Sequence, residues 1–414
     1  MIFFFFFFYV ENKKRESKQR EQGDSPRILE LQEDLNGLLE KEDIFWKQRS
    51  KVSWMNARDK NTKFFHAQCS QRRQTNRISG LRDDSGVWHS DMAKVSELAI
   101  EYFQNIFSSS NLTKEVLSTC LDGMERVVSD EMNDALLTDF TADEVLMALK
   151  HMYPTKAPGL DSMSTIFYQT YWSIVGLEIS HAIISILHSG HMLRKINYTH
   201  IVLIPKIKKQ EKMTDFWPIS LCNVIYKIVS KVLAKRLKVV LPLVISDSQS
   251  AFVPGRLITD NVLVAFEVMH FMSRKRVGKK GQMVIKLDMS KAYDRVEWVF
   301  LEAVLRGLDF AEEWTKLIMM CITSVSYTVL INGECRRYFS ATRGIRQGDS
   351  LSPYLFLLCP EGLSHMLRKA ETNGSIGGVA ASRGGLKYLI FSSQMILFSF
   401  VRPRWRIVWR LVMF

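Results

Sequence analysis

A mixed α/β (α+β) fold is predicted by three features of the chain. Val284–Met289 is apolar and β-branched, reads as a short buried strand, and runs straight into a helix expected to begin near Ser290. The N-terminal third carries stretches whose apolar residues recur three and four apart, the mark of helices with one buried face. The C-terminal half carries hairpins: Tyr327–Ile331 and Cys335–Phe339 flank an Asn332-Gly333 turn, and two hydrophobic strands lie between Leu389 and Phe398. Together these predict strands and helices in one mixed fold, with Asp288 at the end of a strand.

The chain has 414 residues, enough for two or three domains and a large core. Its 56 Lys and Arg against 43 Asp and Glu leave a net charge of +13, which favours a polyanionic partner, although a cationic membrane-surface protein shows the same balance. The basic residues gather at Lys206–Lys212, Lys231–Lys238 and Arg274–Lys280, beside apolar segments that fold, so a nucleic-acid groove is favoured over a basic tail. Six cysteines lie scattered with no CxxC pair, which argues against a disulfide framework or a zinc site and for a reducing compartment.

In chain order, Met1–Val10 is almost a phenylalanine homopolymer, too short to span a bilayer and without the basic residue that precedes a secretory core. It reads as non-native coding sequence, and with the charged stretch Glu11–Asp24 it forms a low-complexity, disordered lead-in over 1–24. Residues 25–140 read as a helical region. Ile28, Leu31, Leu35, Leu38 and Phe45 fall on one stripe, and the segment from Trp46 to His66 interleaves basic and aromatic residues, which suits stacking and phosphate contact as well as an ordinary amphipathic surface. Ile78–His89 reads as a small hairpin around Asp83-Asp84-Ser85-Gly86. Helices follow over Met92–Phe107 and Thr141–Met152, the second with Thr141 and Glu144 spaced as a capping box.

The region 141–275 changes character at the Lys156-Ala157-Pro158-Gly159-Leu160-Asp161 turn and goes on with strands at Ile201–Lys206 and Asp215–Leu221 and helices at Val224–Leu241 and Asp260–Met272. Residues 276–400 hold the central strand and both hairpins, and 401–414 read as an unrelated tail. Asp288 is placed to hold a hard divalent cation through oxygen. The glycines of Arg343-Gly344-Ile345-Arg346-Gln347-Gly348-Asp349 let backbone approach a ligand closely.

The string Leu287-Asp288-Met289-Ser290-Lys291-Ala292-Tyr293-Asp294-Arg295-Val296-Glu297-Trp298 closely resembles the first catalytic motif of reverse transcriptases, in the form carried by plant non-LTR (LINE-type) retrotransposons. The resemblance runs from about Trp46 to Phe398 and is strongest over Lys156–Ser352. It implies a right-hand polymerase: fingers over 141–275, an incomplete palm over 276–400, and function as an RNA-directed DNA polymerase on an RNA template and DNA primer with deoxynucleoside triphosphates. By the same resemblance Asp288 binds catalytic Mg²⁺, Tyr293 lies under the incoming sugar, Lys206 lies near the triphosphate, and Gln347 and Gly348 contact base and template. Arg256, Arg343 and Arg346, with Lys206, are then expected to line one positive groove for nucleic acid. The family works in the nucleus or cytoplasm and is not secreted, and no membrane partner is implied.

Three departures set this chain apart. An arginine is usual where Trp217 stands, and tryptophan cannot offer phosphate the bidentate fork of a guanidinium. Ser350 stands where proline is commoner. The hairpin that normally reads Phe-Ala-Asp-Asp is here Phe391-Ser392-Ser393-Gln394, so both aspartates are gone. Phosphoryl transfer needs two cations, which a single carboxylate cannot hold. With no recognisable thumb, endonuclease or zinc knuckle, the chain reads as a truncated, decayed copy that does not polymerise. A non-catalytic nucleic-acid-binding protein is the alternative. A group II intron maturase is a lesser one, because Asn61–His66 and Gln249–Arg256 look like the plant element.

Overall fold

The structure, a computed structural model, describes residues 25–50, 62–247, 249–274, 283–377, 379–380, 387–388, 390–393 and 396–401. The lead-in over 1–24, the Asp59–Asn61 stretch, most of the Arg274–Lys280 cluster, Gln394 and the tail beyond Val401 therefore lie outside the described residues. The chain forms two compact units, residues 1–79 with 207–209, and the remainder.

In the first unit α1 (Ser25–Ser50) pairs with α2 (Thr62–Thr75). Of the predicted stripe, Leu31, Leu35 and Leu38 are half-buried, whereas Leu29 off the stripe is 58% exposed. Phe65 of α2 is fully buried, the Trp46 and His66 rings lie 3.5 Å apart, and His66 reaches Glu42 at 3.7 Å. An amphipathic pair is the outcome expected of two helices whose own propensity is too weak to hold them without tertiary packing.

The second unit opens with the expected hairpin, β1 (Leu81–Arg82) against β2 (Trp88–His89) in antiparallel register. Gly80 is required there, since a Cβ would sit 2.3 Å from the Trp88 ring. Four helices follow: α3 (Met92–Ile106), α4 (Lys114–Leu121), α5 (Asp130–Leu137) and α6 (Ala142–Lys150). Their starts are set by Asp91, Thr113, Ser129 and Thr141, each accepting an otherwise orphan backbone N–H, and Thr141 with Glu144 closes the predicted capping box. After α7 (Thr165–Thr170) comes α8 (Trp172–Ser189), by length and composition the one described helix able to cross a bilayer. It turns Ile179, Ile183, Ile186 and Leu187 into the core and leaves Ile174 and Leu177 exposed.

The chain then runs through β3 (Tyr198–Pro205), β4 (Phe216–Cys222), α9 (Val224–Val244), α10 (Ile258–Arg274), β5 (Met283–Asp288), α11 (Trp298–Gly307) and α12 (Glu312–Thr323). It continues with β6 (Ser326–Ile331), β7 (Glu334–Cys335), β8 (Phe339–Ser340), α13 (Ser352–Thr372), β9 (Val379–Ala380), β10 (Lys387–Tyr388), β11 (Ile390–Ser393) and β12 (Ile396–Val401). One sheet is ordered β4-β3-β6-β7, with β8 also on β6, and its β3–β6 pairing is parallel. A second sheet, β11-β12-β5, is antiparallel throughout. The apolar core runs from Val128 to Leu358 without a break at 275/276, because β6 from beyond that point pairs with β3 from before it.

The stretch after β5 departs from its sequence reading. No helix begins at Ser290; α11 begins at Trp298. Lys291 takes a left-handed φ of 55°, which a continuing right-handed helix does not tolerate, and a short 3₁₀ turn spans Tyr293–Arg295. The carbonyls that a helix would use internally are taken from outside: Tyr293 O accepts from Ile345 N at 2.8 Å and Val296 O from Gly344 N at 2.7 Å.

Candidate active site

The site is assembled from the end of β5, the turn that follows it, the β3–β4 hairpin and the loop before α13. In the second sheet Asp288 pairs with Ile396, and Ile396 pairs with Ser393, so Asp288 and Ser393 occupy one register row two strands apart. At the usual strand spacing that is about 10 Å between backbones. The hairpin expected beside the Asp288 strand is thus there. The Asp288 carboxylate and Gln394 lie outside the described residues.

Tyr293 is half-buried and stacks on Phe356, centroids 4.9 Å apart and rings 15° from parallel. Burial pushes its phenol up to about 12, so it is neutral in any ordinary buffer. One residue on, Asp294 is 2% exposed, and its Oδ2 has no hydrogen-bond partner. Burial raises its carboxyl to about 6, against the pull of the nearby Lys291, Arg295 and Lys206 cations. Lys291 is itself half-buried, lies 5.7 Å over the Tyr102 ring, and is held below the usual lysine range by burial despite Asp294. The sequence reading named Asp288 and passed over Asp294. Its only signal was a second acid six residues along, whose burial depends on a turn the helical reading did not contain.

Lys206 stands exposed at the end of β3, where its backbone N–H donates to Asp215 O at 2.8 Å and its Nζ donates to Thr214 O at 2.8 Å. The β3–β4 register pairs Ile204 with Trp217 and Val202 with Ile219. Trp217 (56% exposed) and Ile219 (40%) therefore share a sheet face with Ile204 and, diagonally, Lys206. Gln347 is half-buried and its carbonyl accepts from Ser220 N at 3.0 Å, which ties the loop to β4. Gly348 is exposed at φ 98°, and a Cβ there would come within 3.9 Å of Ile219. Gln347 and Gly348 thus sit beside the strand that carries Trp217.

The three arginines expected beside Lys206 in a groove have their donors directed into the protein. Arg346 is 3% exposed: it donates to Asn197, to Thr199 Oγ1 at 3.3 Å and to Cys321 O at 2.6 Å, lies 3.8 Å over the Tyr226 ring, and has Asp349 at 3.6 Å. Asp349 in turn accepts from Tyr226 Oη at 2.6 Å and from Ser230 Oγ. A buried guanidinium is tolerated only when paired and hydrogen-bonded in this way. Arg343 donates to Ile106 O at 2.7 Å and Glu297 Oε1 at 3.1 Å; Arg256 closes the end of α9 through Pro242, Ile245, Ser246 and Gln249 carbonyls. Of the four cations, Lys206 alone is exposed. The sequence spacing could not separate a cation that faces a ligand from one that satisfies helix ends.

Among the described residues, no donor set fits the magnesium implied by the resemblance. The row that ends at Asp288 offers one carboxylate and one serine, where a two-ion centre needs at least two acids. Among the described residues no group of three or more His, Cys, Asp or Glu side chains is arranged to hold a metal.

Residues 206–398 match the family of reverse transcriptases, RNA-dependent DNA polymerases. The chain is 30% identical over 324 residues to an uncharacterized 149 kDa protein of transposon TX1 from Xenopus laevis, covering 78% of this chain and 24% of that one. It is 25% identical over 257 residues to a Pol polyprotein of the type-1 retrotransposable element R2 from Popillia japonica (62% of this chain, 34% of the relative). A Pol polyprotein of the type-2 element R2DM from Drosophila melanogaster is 25% identical over 248 residues (60% and 22%). The chain thus spans about a quarter to a third of the length of these relatives. It carries a reverse transcriptase domain of the kind found in non-LTR retrotransposons.

Proposed function

We propose that this chain descends from the RNA-directed DNA polymerase of a plant LINE-type element and binds nucleic acid without extending a primer. The observation that carries the reading is the register row Ser393–Ile396–Asp288, since it puts serine where a second acid is needed beside the first. Template-directed transfer to a primer 3′-hydroxyl leaves charge on both the attacking and the departing oxygen, and neutral hydroxyl ligands cannot hold two magnesium ions against it. Exposed Lys206, with Gln347 and Gly348 beside β4, supplies a cation and bare backbone to an RNA template and a DNA primer. Trp217 in place of a guanidinium weakens the grip on a nucleoside triphosphate.

The test is extension of an RNA-templated DNA primer by the purified chain with magnesium, with Asp288→Ala as background. The expected result is incorporation at the background level together with RNA binding that weakens steeply as salt rises. Templated incorporation above background overturns the inactivity. RNA affinity that does not respond to salt overturns the binding.

A further inference from the structure

On the edge strand β4, Trp217 and Ile219 are both exposed, on the face of the sheet that also carries Ile204 and Lys206. Burial along β4 alternates at this end, with Phe216 and Pro218 inside and Trp217 and Ile219 outside. An indole and a branched aliphatic side by side in solvent are costly to leave bare, and adjacent apolar exposure of this kind marks a contact surface. Lys206, the residue that follows β3, stands one diagonal step in register from Trp217, and its Nζ donates to Thr214 O. Gly348 borders the patch with bare backbone.

A flat aromatic surface, an aliphatic neighbour and a lysine beside them on the adjoining strand match the chemistry of an unpaired base with its phosphate. We propose that Trp217 and Ile219 form a stacking platform for a base of single-stranded nucleic acid, with the adjoining phosphate on Lys206. The occupant is a single strand because stacking needs an open π-face, which a duplex keeps inside its own stack, and because a chain of charge +13 favours a polyanion over an apolar partner. This inference rests on the nucleic-acid reading above and adds to it a residue that makes binding depend on bases. Where a guanidinium would grip phosphate, this chain holds a base.

The experiment compares the full chain with Trp217→Ala, Trp217→Phe and Lys206→Ala, by fluorescence anisotropy, on a labelled oligoadenylate and on an abasic strand of equal length. Trp217→Ala is expected to lose about 5- to 100-fold in affinity for oligoadenylate and none for the abasic strand, with the salt slope unchanged. Trp217→Phe keeps most of the affinity. Lys206→Ala lowers the slope of log K against log salt by about 0.7, the share of one single-strand phosphate, on both strands. Equal affinity of Trp217→Ala and the unaltered chain for oligoadenylate overturns the platform and leaves the nucleic-acid reading standing. An unaltered chain that binds neither strand overturns both.

Discussion

Asp294 shows what one buried group does to the whole chain. Its carboxyl is lifted from the ordinary 3.8 to about 6 by burial, with Lys291, Arg295 and Lys206 offsetting only part of that effect, and one oxygen finds no donor. An acid whose folded value is raised costs stability as pH climbs: below about 4 both states are protonated, between 4 and 6 only the unfolded chain ionises, and above 6 the full penalty applies. The span corresponds to about 3 kcal/mol. The stability of Asp294→Asn relative to the unaltered chain is therefore expected to rise by about that amount from pH 4 to pH 6.5 and then level off. Denaturant unfolding of both proteins across that range measures it, and a difference that stays flat with pH contradicts the account.

Among the elements, the joint between the turn after β5 and the loop before α13 decides the site's shape. Tyr293 and Val296 give their carbonyls to Ile345 and Gly344 of that loop, which is why the segment does not close into a helix. Gly344 makes the joint possible. At φ 96° it has a conformation that costs other residues energy, and a Cβ would lie 2.8 Å from Asp294 O and from the Phe107 ring. Gly333, in the β6–β7 turn at φ 93°, has nothing within 4 Å of its would-be Cβ. Both alanine variants carry the backbone strain of about 1 kcal/mol, and Gly344→Ala adds a clash with backbone that cannot rotate away. The expected loss is about 1 kcal/mol for Gly333→Ala and on the order of 3 kcal/mol for Gly344→Ala, read from urea midpoints at constant m. Equal losses for the two would remove the joint from the explanation.

At the scale of the whole molecule, the second sheet brings residues a hundred positions apart into one row, and the proposed inactivity rests on that row. Ser393→Asp with Gln394→Asp returns two acids beside Asp288 and is expected to raise magnesium affinity at least tenfold, measured by calorimetry with Asp288→Ala as control. Templated synthesis is expected to remain near background, because under the proposed function Trp217 weakens the grip on a triphosphate and metal binding does not position substrate. Magnesium affinity unchanged by the two acids would contradict the register argument.

Much of this molecule was legible from local pattern. The Thr141–Glu144 capping box, the Asn332-Gly333 hairpin, the β3 and β4 strands and the paired α1 helix follow from rules that act over a few residues, so spacing alone determined them. That Ser392, Ser393 and Gln394 carry no acid is likewise readable from the sequence alone. Other features depended on contacts between distant segments. The turn at Lys291 follows from hydrogen bonds supplied by Gly344 and Ile345, and the burial of Arg346 from partners at Asn197, Tyr226 and Cys321. The exposure of Trp217 follows from which face of β4 the core covers. A cation's destination and an acid's charge state depend on which groups the fold brings within a few ångströms, and only the tertiary structure decides that.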